Sequence, residues 1–335
     1  MVNAVAFKDP QARIAVFRVA ALLLTTLCAV FCWVVLRMPV VGVTNAVGPL
    51  LVTGSALAAS TPEARRRNLF LCMLLVSVIQ FVRGWLSYDD ALSLAAVVVM
   101  SLLVHKFVRS AAVAGGAMMG GLLDTAPMDF SACANAAVTL WLTGLMTAWG
   151  YVLLEKYLPI PDDRPIFPAA PALDNAAIVR RTLIFGLAYY LVEATDWEES
   201  FWIMLSVGGA CAGGLTGRKL REMALLRLLW TPAGLALSIC FMQGLVGFDF
   251  RFNYLMLLIG IGCFYALYRY DNFPVYYILF VLVITTVDAM TNGHHKFGNP
   301  MNYFFQVNAC VLLATACIFL IERDGDTAHS PQTQA

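Results

Sequence analysis

Basic residues in this chain fall almost entirely at every second joint between long apolar stretches. One set of alternate joints and their flanks holds eighteen of the 22 Lys and Arg residues, among them Lys8, Arg13, Arg18, Arg65-Arg66-Arg67, Lys106, Arg109, Lys156, Arg164, Arg180, Arg181, Arg218-Lys219-Leu220-Arg221 and Arg227. The other set holds only Arg37, Arg83, Arg251 and Lys296. Membrane proteins show this asymmetry because cytoplasmic loops near membrane spans are enriched in Lys and Arg. The pattern therefore predicts a polytopic membrane protein with both termini in the cytoplasm. It also requires an even number of crossings.

Composition agrees. The chain of 335 residues is 60% hydrophobic and only 13% charged, with a mean hydropathy of +0.75. A soluble domain carries about 25% charge, whereas lipid solvates apolar side chains directly. A net charge of +1 leaves no basic footprint for nucleic acid. Of the nine cysteines, all but Cys133 lie in apolar runs, and none forms a C-x-x-C pair or a Cys/His cluster. They read as small packing residues, with no metal and no cofactor expected. A Ser/His/Asp set and a G-x-x-x-x-G-K-[ST] loop are also missing from the sequence, so the chain is not expected to be an enzyme or to couple to ATP.

A helix needs about 20 residues to cross the hydrocarbon core. The apolar runs predict spans near residues 14–36, 38–58, 68–86, 91–107, 110–126 and 132–154. A second series falls near 175–195, 198–216, 225–246, 252–270, 273–290 and 302–321, for about twelve spans in all. The first span is expected to be retained rather than cleaved as a signal peptide. The segment 110–126 is short and rich in Gly and Ala, so it has to be buried among other helices. The predicted organisation is a cytoplasmic N-terminus (1–13), a first six-helix repeat (14–154), a proline-rich cytoplasmic linker (155–174), a second six-helix repeat (175–322) and a disordered cytoplasmic tail (323–335). The halves share a layout: Arg18 and Arg181 near the start of the first helix, and a basic cluster after the second. Six spans per half is even, so the repeats would be parallel, with substrate sites expected between them.

In the second half, Trp202-Ile203-Met204-Leu205-Ser206 and Gly213-Gly214 are followed by the basic cluster and by Arg227-Leu228-Leu229-Trp230-Thr231-Pro232-Ala233-Gly234. This succession resembles the fusaric acid resistance and aromatic acid exporter superfamily, in which a basic turn precedes an Arg-x-x-Gly-Thr-x-x-Gly helix. Arg227, Thr231 and Gly234 keep that spacing, while Trp230 stands at the first Gly and Pro232 is extra. The chain is similar to small, membrane-only bacterial members. The resemblance implies export of aromatic or other organic acids across the inner membrane of a Gram-negative bacterium, often with a periplasmic adaptor protein. A distant plant branch conducts organic anions passively, so a channel and a non-transporting subunit of an envelope complex remain alternatives. Expected partners are the lipid bilayer and a small organic anion, with a periplasmic adaptor and self-association left open.

Charges cost at least ~2.5–3.5 kcal/mol at a helix centre in lipid, so those within spans are candidates for function. Arg18 and Arg181 hold equivalent places and are candidate anion-binding residues; snorkelling to the headgroups is the competing reading. Asn45, beside Gly48-Pro49, and Thr231, beside Pro232, mark broken helices of the kind that form transporter sites. Glu193 and Asp288, near the ends of apolar helices, are candidate proton carriers. The remaining outer acids, including Glu198 and Glu199, read as solvated caps. Arg83 is expected to pair with Asp89 or Asp90, or to face the exit. The Gly209-x-x-x-Gly213 and Gly116-x-x-x-Gly120 spacings read as helix packing. The topology is testable: a reporter active only in the cytoplasm is expected to work when fused after Ala335, and one active only outside when inserted beside Arg251.

Overall fold

The computed structural model describes residues 10–37, 42–57, 59, 61–86, 88–108, 110–122, 130–158, 173–195, 197–244, 273–292 and 299–322. The expected span at 252–270 and most of the linker and tail lie outside these residues. The described residues form helices and no strand. They are α1 (Pro10–Val34), α2 (Gly42–Ala56), α3 (Pro62–Leu86), α4 (Asp90–Phe107), α5 (Ala111–Gly121) and α6 (Phe130–Tyr157). The second half supplies α7 (Asn175–Thr195), α8 (Phe201–Cys211), α9 (Gly217–Gly244), α10 (Phe273–Asn292) and α11 (Pro300–Ile321).

Local chemistry explains several of the starts. Asp89, Ser110, Asp174 and Asn299 each accept a backbone N–H from the first turn of α4, α5, α7 and α11, at 3.0, 3.4, 2.6 and 3.2 Å. These caps satisfy amides that a helix leaves unpaired. Two helices begin more than a turn and a half before the apolar runs: α3 at Pro62 instead of 68, and α9 at Gly217 instead of 225. Their basic clusters are therefore helical turns rather than loops. Arg is a good helix former, and Glu63–Arg66 (3.6 Å) and Arg218–Glu222 (2.7 Å) pair across one turn. By contrast, α8 stops at Cys211, short of the expected 216, where Gly213-Gly214 follows and Gly214 has φ 66°.

Five helices (α3, α4, α6, α9 to Phe241, and α11) are long and apolar enough to cross a membrane. The exposed surface is itself apolar: Leu74 and Val78 on α3, Trp149 and Leu153 on α6, and Phe305 and Leu312 on α11 all face outward. Water would penalise such faces. Length, composition and surface are consistent with a helical membrane protein.

The centre is built from the two shortest helices. α5 and α8 are buried on nearly every side, as an all-apolar helix in a core has to be. They touch backbone to backbone: a Cβ on Gly115 would lie 2.9 Å from the Cα of Ala212, and one on Gly208 2.6 Å from the Cβ of Met119. The order of these pairs makes the helices antiparallel. Around them, α5 also meets α2 and α3, while α8 meets α7, α9 and α11. The halves further meet where α4 packs on α7 and α10 on α2. Gly115→Leu is expected to destabilise the purified protein by about 1–3 kcal/mol, as overpacking does. Gly54→Ala, where a Cβ meets nothing within 4 Å, is expected to leave the thermal midpoint unchanged or raise it.

Candidate functional site

Within the second half, buried polar groups gather in three places. The first is the inner end of α8. This helix spans only about 16 Å, so its last carbonyls end inside the bundle, where lipid offers them nothing. Arg181, fully enclosed in α7, donates Nη1–H to the carbonyl of Cys211 and Nη2–H to that of Leu215. A cation at a helix C-terminus also meets the negative end of its dipole. Arg181 thus closes a helix end, and both Nη atoms are committed to protein. Its neighbour Arg180 turns to Glu322, 3.2 Å away, and Glu322 also accepts the Gly217 amide at 3.0 Å.

The second place is in the middle of α9. Arg227 is 7% exposed, and its Nε and Nη1 have no hydrogen-bond partner among the described residues. The guanidinium carbon sits 5.1 Å from the ring centre of Tyr277 and 6.0 Å from that of Phe280, both on α10. On its other side, Nη1 presses against Gly209 of α8, in the space a Cβ would fill. Thr231, one turn beyond Arg227, donates to the Arg227 carbonyl at 2.7 Å and lies 3.3 Å from the Tyr277 hydroxyl. Pro232 follows, removing one amide from the α9 ladder. Thr231 therefore positions Tyr277 against Arg227.

The third place is the other end of α10. Asp288 is fully buried and accepts a hydrogen bond from Tyr303 of α11 at 3.3 Å. Glu199, 1% exposed, lies just before α8, and its carbonyl is 3.3 Å from Cys310 Sγ. Asp288 and Glu199 both lie near Tyr303, and Trp202 and Thr285 border it. Two carboxyl groups from different segments thus flank one enclosed phenol.

The expected site residues therefore separate. Thr231 joins the Arg227 cluster, Asp288 joins the Tyr303 cluster, and Arg181 stands apart as a helix cap. Glu193 is on an exposed face of α7 with Tyr190. The side chains of Arg18 and Asn45 lie outside the described residues. Arg83 does not reach Asp89 or Asp90. It is buried, with its guanidinium carbon 5.7 Å from the Tyr189 ring centre and Nε 3.4 Å from the Tyr189 hydroxyl, which also bonds Ser93 at 2.7 Å. Asp89 instead caps α4. Glu199, expected to be a solvated cap, is buried. Arg227 and Ser206 were not among the expected site residues; the signal for Arg227 was its place one turn before Thr231-Pro232.

Comparison with protein-family models, with curated proteins and with solved structures found no match. Arg181→Met removes the donors to the carbonyls of Cys211, at the end of α8, and of Leu215 beyond it. It is expected to cost about 3 kcal/mol of stability, the scale of hydrogen bonds to charged groups, measured as a lowered thermal midpoint of the purified protein.

Proposed function

We propose that the chain is a multi-pass transporter of the bacterial inner membrane that exports organic acids in exchange for protons. The observation that carries this reading is Asp288, an acid enclosed among apolar helices, with the buried Glu199 near the same phenol. Acids inside membrane bundles are rare, expensive and associated with proton or ion pathways. Proton exchange at Asp288, relayed through Tyr303, would tie the entry of a proton to the exit of an anion. The organic-acid cargo comes from the resemblance of the α8–α9 segment described above.

The architecture proposed with it has about twelve spans in two parallel six-helix repeats, both termini cytoplasmic. Reciprocal packing supports the duplication, with α10 taken as the counterpart of α5. α5 meets α8 while α10 meets α2; α1 pairs with α6 as α7 does with α11; α3 pairs with α6 as α9 does with α11. The ends match as well. Glu155 near the end of α6 binds Arg65 of α3 at 2.8 Å, and Glu322 just after α11 binds the first amide of α9 at 3.0 Å.

The test is flux of a labelled aromatic acid in proteoliposomes with and without an imposed pH gradient. Gradient-driven flux that an uncoupler stops, and that Asp288→Asn loses at least tenfold while remaining inserted and folded, is the expected result. Flux that follows only the anion's own gradient and ignores both treatments would make the chain a passive channel. A chain with no flux alone, but active once a periplasmic adaptor is supplied, is a subunit of an envelope complex.

A further inference from the structure

Arg227 has a need that the proton reading does not meet. An arginine side chain is a cation with five donors and no acceptor. Arg65, Arg83 and Arg181, the other buried arginines among the described residues, each donate a hydrogen bond: to Glu155, to Tyr189, and to two carbonyls. Arg227 receives only the ring faces of Tyr277 and Phe280, and its Nε and Nη1 are buried with no acceptor among the described residues. A stacked guanidinium keeps its N–H groups in the plane of the stack, pointing away from the ring beneath. A cation enclosed this way is short of an anion.

A second buried donor stands on the neighbouring helix. Ser206 Oγ is also enclosed and without a hydrogen-bond partner among the described residues. It precedes Gly209 by three residues, which puts both on one face of α8, and Gly209 is where Nη1 touches that helix. The third component is an aromatic wall on α10. Phe273 stacks on Tyr277 (centroids 5.5 Å apart, planes 9° apart), and Tyr277 on Phe280 (5.8 Å, 20°). Two donors from two helices and a stacked face from a third suit a planar anion with an apolar body.

We propose that Arg227 and Ser206 bind the carboxylate of an organic monoanion whose apolar ring lies on the Tyr277–Phe280 wall. Arg227 supplies the charge and the larger share of the hydrogen bonds. Ser206 supplies one more, Gly209 supplies the space that lets the guanidinium reach α8, and Thr231 holds Tyr277 in register. This assignment moves the anion-binding role from Arg181, whose Nη1 and Nη2 already donate to the carbonyls of Cys211 and Leu215, to a residue three turns into α9. It names the ligand for the transporter proposed above and rests on that reading only for the ligand's subsequent movement.

The test is binding of benzoate to the full chain in nanodiscs, followed by calorimetry at fixed pH with no gradient. The wild-type chain is expected to bind benzoate saturably and to ignore benzyl alcohol, which keeps the ring and lacks the charge. Arg227→Gln is expected to weaken binding at least tenfold, and Ser206→Ala severalfold. Arg218→Gln, on an exposed surface residue, is expected to change nothing. Gly209→Ala provides a check that leaves Arg227 in place: its new methyl group occupies the position of Nη1, so affinity is expected to fall although the charge remains. Absence of saturable benzoate binding by the wild-type chain overturns the proposal, as does equal affinity in folded Arg227→Gln or equal affinity for benzyl alcohol. Binding without flux would reject the exporter reading and keep the site; coupled flux with binding indifferent to Arg227 would do the reverse.

Discussion

The structure turns on the close approach of α5 and α8. Neither helix is long enough to cross a bilayer by itself, and both are surrounded by protein. Helices in lipid gain little from burying apolar side chains, because lipid tails are equally apolar. What holds them together is contact area, and area is largest where backbones meet. Gly115 against Ala212 and Gly208 against Met119 supply that contact. The longer helices α3, α4, α6, α9 and α11 then present apolar outer faces, while the inner faces of α3, α4, α9 and α11 close around the central pair.

Placing a short helix at the centre creates a difficulty that the surrounding residues resolve. The carbonyls that end α8 lie inside the bundle, away from water, and an unmet carbonyl there is costly. Arg181 satisfies that of Cys211, and also that of Leu215 in the segment that follows. The early end of α8 also brings Gly209 beside α9, where the guanidinium of Arg227 fits against it. One arginine bonds the end of the short helix, and the other lies against its Gly209 without a carbonyl to bond. Similar residue types at similar depth thus do different work, and the number of acceptors within reach separates them.

α10 links the two remaining polar groups. Tyr277 near its start lies under Arg227, and Asp288 near its end receives the Tyr303 hydroxyl. The separation along the helix axis is about 16 Å. The buried hydroxyls between them, Thr285 and Thr286, bond back to α10's own carbonyls at 2.8 and 2.7 Å, and Thr285 also borders Tyr303. α10 packs against α9 and α2.

Helix positions were legible from the residues because each depends on local terms. Apolar runs, Asp89, Ser110, Asp174 and Asn299 as caps, and Gly213-Gly214 as a break all act within a few residues. α3 and α9 begin before their apolar runs for a related reason: a basic cluster is polar by hydropathy, yet it is helical by propensity and by pairing with Glu63 and Glu222. The candidate site was legible only in part. Asp288 and Thr231 declared themselves by standing within apolar helices, but Arg181 and Arg227 look alike in the chain, each a cation about two to three turns into its helix. Charge, hydropathy and spacing, all properties of the residues in order, determined that this chain is helical, apolar and asymmetric in its basic joints. Which buried charge is satisfied and which is left without an acceptor was decided only in three dimensions, because the deciding partners, Cys211 and Leu215 for Arg181, Gly209 and Tyr277 for Arg227, Tyr303 for Asp288, mostly come from other helices and are set by how those helices pack.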